Sequence, residues 1–180
     1  MLSEARARQA GGLDLLLGMV DTHGQPETAT LAEGLEVLPC RSLASMGEFL
    51  PEFDLGAALA RRPRLILLDD LAHVNVRGSH HARRWQDVLE LLDAGIDVYT
   101  TLNVHHLESL KDVVTQITGL VVRDTVPDTI LQRADEVELV DLAPDDLLVR
   151  LKEGKVNSDT NECGGGNYKL RRSYCSKPDD

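Results

Sequence analysis

Arg64-Leu65-Ile66-Leu67-Leu68-Asp69-Asp70-Leu71-Ala72-His73 decides how the rest of the chain is read. Four consecutive aliphatic residues run into two carboxylates, and Arg61-Arg62-Pro63 stands immediately upstream. An apolar run of this length, closed at both ends, is too short for a separate helix. It reads as a strand buried on both faces, the kind that parallel sheets contain. Open α/β sheets bind ligands outside the carboxyl ends of their strands, which puts Asp69 and Asp70 at a candidate site. An aliphatic strand ending in acids has the form of a Walker B segment. Asp69 would hold Mg²⁺ directly or through water, and Asp70 would stand where a water-polarising acid lies. The plainer alternative is that both acids end the strand, cap the next turn and stay solvated.

Toward the C-terminus a polar loop, His73 to His81, contains Gly78. Trp85, Val88, Leu89 and Leu92 then fall at i, i+3, i+4 and i+7, which predicts an amphipathic helix closed by Gly95. Ile96 to Leu102 is the next expected strand. Leu110, Val113, Val114 and Ile117 repeat the helical spacing, and Gly119 ends that helix. Further strands are expected at Leu120–Arg123 and Val137–Val140, with a short helix after Pro127 and a last helix from near Pro144 to Gly154.

Toward the N-terminus, residues 2–10 predict a short helix stopped by Gly11-Gly12. Leu13 to Val20 follow as a buried strand ending in Asp21-Thr22-His23-Gly24. Pro26 and Gly34 bracket a helix of about two turns, and Leu35 to Leu38 make a short strand. Residues 40–51 show no periodicity and read as a loop. Asp54 is placed to cap a helix through Leu55, Ala58 and Leu59 that ends before Pro63. Strands and helices alternate, so the expected fold is α/β: a mostly parallel open sheet with helices on both faces.

The chain has 180 residues, room for one such domain and a tail. Its net charge of −11 argues against nucleic acid or an anionic membrane as the main partner. No apolar run approaches the ~20 residues that span a bilayer, so no direct membrane insertion is expected. Met1 to Arg6 lack the apolar core of a secretory signal, and the expected location is cytoplasmic. Cys40, Cys163 and Cys175 have no metal-like spacing, and reduced thiols are expected. Beyond Val156 the composition changes: Asn157 to Asp180 holds Gly164-Gly165-Gly166 and few aliphatic residues, as a weakly ordered or disordered tail would.

Three strand ends carry polar residues: Asp21-Thr22-His23, Asp69-Asp70 and Thr100-Thr101-Leu102-Asn103. If the strands are neighbours, these ends face one crevice. There Asn103 would sense a γ-phosphate or attacking water, or simply cap the helix that follows. Arg83 and Arg84 open a helix, where they would reach a phosphate or pair with Asp87 and Glu90. His80-His81 and His105-His106 invite a metal reading, but adjacent residues diverge on a helix and neither pair makes a chelate by itself. No Gly-x-x-x-x-Gly-Lys-Ser/Thr loop precedes the acidic strand, although a nucleotide-binding fold of this kind uses one.

A longer set of segments resembles one family. These are Asp21 to Gly24, Leu65 to His73, Arg84-Trp85-Gln86-Asp87-Val88, Ala94 to Thr101 and Asn103 to Leu110. Thr125-Val126-Pro127-Asp128, Glu138 to Leu142 and Arg150 to Val156 complete it. Together, residues 1–156 resemble the cytoplasmic N-terminal domain of KdpD, the osmosensitive potassium-channel sensor histidine kinase. The resemblance implies a P-loop NTPase-like regulatory domain that binds ATP and Mg²⁺ within an inner-membrane sensor. Its partners would be the remaining domains of that kinase and, indirectly, a response regulator. Asp69, Asp70, Thr101 and Asn103 would then serve nucleotide and Mg²⁺, with Asp21, Thr22, His23, Arg83 and Arg84 as phosphate contacts. In the family pattern the Gly-rich Lys-Thr loop is expected ahead of Met1. Asp70 stands where the family usually has Glu, and the expected continuation stops after Val156.

Two other readings compete. An autonomous P-loop ATPase or phosphotransferase would need the loop that the sequence lacks. A phosphoacceptor receiver would need a lysine after its last core strand, where Asp141-Leu142-Ala143-Pro144 stands instead.

Overall fold

The computed structural model describes residues 1–22, 25–45, 47–140, 145, 146 and 149. His23, Gly24, most of the helix expected from Pro144 to Gly154 and the tail from Asn157 lie outside them. The chain runs α1 (Leu2–Ala10), β1 (Leu15–Met19), α2 (Pro26–Ala32), β2 (Arg41–Ser45), β3 (Glu48–Glu52), α3 (Leu55–Arg61) and β4 (Leu65–Leu68). There follow α4 (Arg84–Asp93), β5 (Asp97–Tyr99), two single 3₁₀ turns at Val104–His106 and Glu108–Leu110, α5 (Lys111–Thr118) and α6 (Asp128–Leu131).

β4 is interior, as its unbroken aliphatic run requires. It pairs in parallel with β1 on one side, Leu65 opposite Leu15 and Leu67 opposite Leu17. On the other side it pairs in parallel with β5, Leu65 opposite Asp97 and Leu67 opposite Tyr99. The expected strand at Leu35–Leu38 is reduced to one parallel bridge, Val37 to Leu17, on the far edge of β1.

Side chains alternate across a strand, so β1 and β4 divide their aliphatic residues between two cores. Leu16, Ile66 and Leu68 face Leu55 and Ala58 of α3 and Val88 and Leu91 of α4. Leu15, Leu17, Leu65 and Leu67 face Leu2 and Ala5 of α1 and Ala32 of α2. Helices therefore cover both faces. Each of these leucines contributes about 1.5–3 kcal/mol by leaving water, and β4 is buried at every position. Gly18 is the one small residue in β1. A Cβ there would lie 3.1 Å from Ile66 Cδ1, Leu67 O and Phe53 Cε2, so the close approach of these elements needs a glycine.

Local signals set the helix ends. Asp54 accepts the Ala57 amide at 3.0 Å and caps α3. Gly119 closes α5 at φ 73°, in the left-handed region where a Cβ is penalised.

Three expectations are corrected. Residues 40–51 are not a plain loop: β2 and β3 form an antiparallel hairpin with Arg41 opposite Glu52 and Ser45 opposite Glu48. Both strands are largely exposed, so no alternation of apolar residues announces them. Leu120–Arg123 and Val137–Val140 are not strands. Neither run finds a neighbouring ladder among the described residues, and Val121, Leu139 and Val140 remain exposed. Cys40 is disulfide-bonded rather than a free thiol. Sequence spacing is a poor guide here, because a disulfide depends on the distance between two Cβ atoms in the fold.

Candidate functional site

The parallel register aligns the carboxyl ends of β1, β4 and β5, so residues 20–22, 69–70 and 100–103 leave the sheet at one edge. Backbone bonds lock the three together. The Asp69 amide donates to Met19 O at 2.7 Å, and the Leu71 amide donates to Thr101 O at 3.0 Å. Thr101 Oγ1 donates to the Asp69 carboxylate. Asp70 accepts the Ala72 amide at 3.0 Å, a local turn that fixes one of its oxygens. Asp69 and Asp70 are half-buried, Thr101 and Asn103 are exposed, and Thr22 is buried. Asn103 stands at the N-cap of the first 3₁₀ turn without a side-chain capping bond.

The two arginines part company. Arg83 donates to Asp124 at 2.7 Å and keeps about a third of its side chain in solvent. Its backbone amide is capped by Gln86 Oε1 at 3.1 Å. Arg84 turns inward and is fully buried. Its guanidinium donates to Asp69 O at 2.8 Å, to Glu52 Oε1 at 2.5 Å and to Asn75 Oδ1 at 3.3 Å. It also lies over the Phe53 ring, 5.8 Å from the centroid. Arg84 thus holds the acidic edge from behind.

Glu52, the last residue of β3, completes this buried centre. Besides Arg84 it accepts His73 Nε2 at 3.1 Å and the amides of Val76 at 2.7 Å and Phe53 at 2.8 Å. Burial pushes its carboxyl up, but the His73 hydrogen bond, the Arg84 charge and the Val76 amide outweigh that and hold it at about 2. Asp87 is raised, chiefly by burial, against the hydrogen bond from Asn75 Nδ2 at 2.6 Å. Among the described residues no buried side-chain nitrogen or oxygen lacks a partner, as a charged centre in a dry interior requires.

Sequence reasoning placed Asp69, Asp70, Thr101, Asp21 and Thr22 at neighbouring strand ends, and the sheet brings those ends together. It missed Glu52 and Asn75. Glu52 carried no signal, because the hairpin that delivers it was read as a loop.

The edge offers oxygen donors: the carboxylates of Asp69 and Asp70 and the hydroxyl of Thr101. Such a set suits a hard cation such as Mg²⁺ and not a thiophilic metal. Parallel strands, helices on both faces and polar residues at the carboxyl edge define an open α/β domain, a class whose ligands, where it has them, lie at that edge. Within that class the chain belongs to the KdpD family, described as the osmosensitive K⁺ channel His kinase sensor domain, whose family model matches residues 1–169. It is 61% identical over 156 residues to the Sensor protein KdpD of Escherichia coli K12, covering 87% of this chain and 17% of that protein. It is 50% identical to the Putative sensor protein KdpD of Synechocystis, covering 87% of this chain and 42% of that protein. The Sensor protein KdpD of Clostridium acetobutylicum is 46% identical, with 87% of this chain and 17% of that protein covered. The chain therefore spans less than half the length of each of these relatives. No helix among the described residues is long and apolar enough to cross a membrane.

Proposed function

We propose that this chain is the nucleotide-sensing regulatory domain of a two-component sensor histidine kinase that responds to potassium limitation or osmotic stress. The reading is carried by the convergence of the β1, β4 and β5 ends, with Asp69 at the centre of the edge and Thr101 bonded to it. In this reading Asp69 would hold Mg²⁺ directly or through water, Asp70 would orient a water, and Thr101 and Asn103 would sense the terminal phosphate. Held by Asp69, such an ion would supply positive charge that offsets the phosphates. Asp21 and Thr22 border the same edge, and Arg83 reaches a phosphate only by leaving Asp124. Arg84 contributes from behind, by fixing the main chain at Asp69. The partners are the other domains of the kinase and, through them, a response regulator. The domain works on the cytoplasmic side of an inner-membrane protein and modulates the switch without carrying out phosphoryl transfer.

Backbone amides and a lysine in a phosphate-binding loop supply much of the grip on nucleotide phosphates, and the sequence holds no such loop. Calorimetry should therefore find no saturable Mg-ATP binding to this chain below the millimolar range. A longer chain with a Gly-Lys-Thr loop ahead of Met1 should bind Mg-ATP saturably, and Asp69→Asn should weaken that binding about tenfold or more. Equal affinity of the Asp69→Asn form would remove the acidic edge from nucleotide sensing. Multiple-turnover ATP hydrolysis by the longer chain would instead favour an autonomous ATPase.

A further inference from the structure

Beside α4, three side chains turn toward one point. His80 and His81 are adjacent in sequence, and on a helix they would diverge. They lie instead in the bend that leads into α4. That bend brings both imidazoles to one carboxylate: His81 Nε2 is 2.7 Å and His80 Nε2 3.4 Å from Glu90 Oε2. One donor atom from each residue lies within 4.8 Å of the other two. The two rings meet edge to face, with centroids 4.6 Å apart and planes at 84°.

We propose that His80, His81 and Glu90 form a binding site for a divalent transition metal ion of the Zn²⁺ class. Bonds of about 2.0–2.1 Å in a tetrahedron need donor atoms about 3.3 Å apart. The His80–Glu90 pair already stands at 3.4 Å, and the His81–Glu90 pair, at 2.7 Å, opens by about 0.6 Å. Two imidazole nitrogens and one carboxylate oxygen select Zn²⁺, Ni²⁺ or Cu²⁺ over Mg²⁺ and Ca²⁺, which take oxygen donors. The set fills three positions and leaves the fourth to water.

The support beneath the site is already in place. Buried Asn75 donates to His81 O at 3.1 Å, and its amide donates to Ala82 O at 3.1 Å. An antiparallel bridge between Val74 and Arg83 closes the same loop. Asn75 also bonds Asp87, one turn before Glu90 on α4, so loop and helix are held in fixed relation. His80 is 64% exposed, His81 28% and Glu90 36%, which gives an ion entry from solvent. Bound metal would pin the loop that follows Asp70 to α4.

Calorimetry on the full 180-residue chain at about pH 7.5 tests this with Zn²⁺ and with Mg²⁺. The expected result is one saturable Zn²⁺ site and no Mg²⁺ binding at His80 and His81. His80→Ala, His81→Ala and Glu90→Gln should each weaken Zn²⁺ about tenfold or more, while His105→Ala/His106→Ala leaves it unchanged. Circular dichroism verifies that His80→Ala, at an exposed position, keeps the fold. Co²⁺ in place of Zn²⁺ should give the visible absorption of a four-coordinate ion, lost in the same three variants. Absence of Zn²⁺ binding, or affinity unchanged in His80→Ala and Glu90→Gln, overturns the proposal. The cluster is then a hydrogen-bonded His–Glu group and nothing more.

Discussion

Replacing Arg84 by Met should destabilise the fold more than any change at the exposed arginines. The guanidinium is fully buried and donates to Asp69 O at 2.8 Å, Glu52 Oε1 at 2.5 Å and Asn75 Oδ1 at 3.3 Å. Methionine preserves much of the side-chain volume but leaves Glu52, 1% exposed, without its cation. Breaking a buried ion pair from one side costs about 3–5 kcal/mol, because the surviving charge stays in the dry interior. A domain of this size is stable by about 5–15 kcal/mol, so the loss is a large part of the whole. With a urea slope of ~1–3 kcal/mol per molar, the unfolding midpoint should fall by roughly 2 M. Urea titration followed by circular dichroism reads this directly. Adding Glu52→Gln should restore part of the loss, since the pair is coupled and its two deletions are not additive. A cost below about 1 kcal/mol for Arg84→Met, or strict additivity in the double variant, would refute the idea that this pair organises the acidic edge.

Two further outcomes follow from the same packing. Glu52 is held at about 2 against an ordinary 4.5, so its contribution to stability is full above about pH 4.5 and is lost as pH falls from there toward 2. The loss should approach about 3 kcal/mol, and Glu52→Gln should flatten the acid limb of a stability-against-pH curve; an unchanged limb would show that other groups set it. Gly18→Ala should cost about 1–3 kcal/mol, because its Cβ would press on Ile66, Leu67 and Phe53 at 3.1 Å. Thermal unfolding at the wild-type temperature would mean that β1 and β4 separate without penalty.

The sheet was legible because its residues leave little choice. Leu65 to Leu68 can only be buried on both faces, and parallel neighbours follow from that. Helix ends were legible where one residue type fits the local geometry, as Asp54 does at its cap and Gly119 at a positive φ. The β2–β3 hairpin was not legible. Its strands are mostly solvent-facing, Pro51 sits within one of them, and Gly47 at φ 89° was the one turn signal. Missing the hairpin also hid Glu52, and without Glu52 Arg84 looked like a surface cation free to meet phosphate. The aliphatic runs at 120–123 and 137–140 misled in the opposite sense, since apolar residues do not make a strand without an edge to pair with. The His80–His81 convergence was hidden because residue spacing on an ideal helix says nothing about a bend.

One guanidinium grips both the returning arm of the β2–β3 hairpin and the main chain at Asp69. The hairpin is therefore geared to the strand ends, although Phe49 projects from it 74% exposed. Moving this arm would therefore disturb the main chain at Asp69 through the same guanidinium.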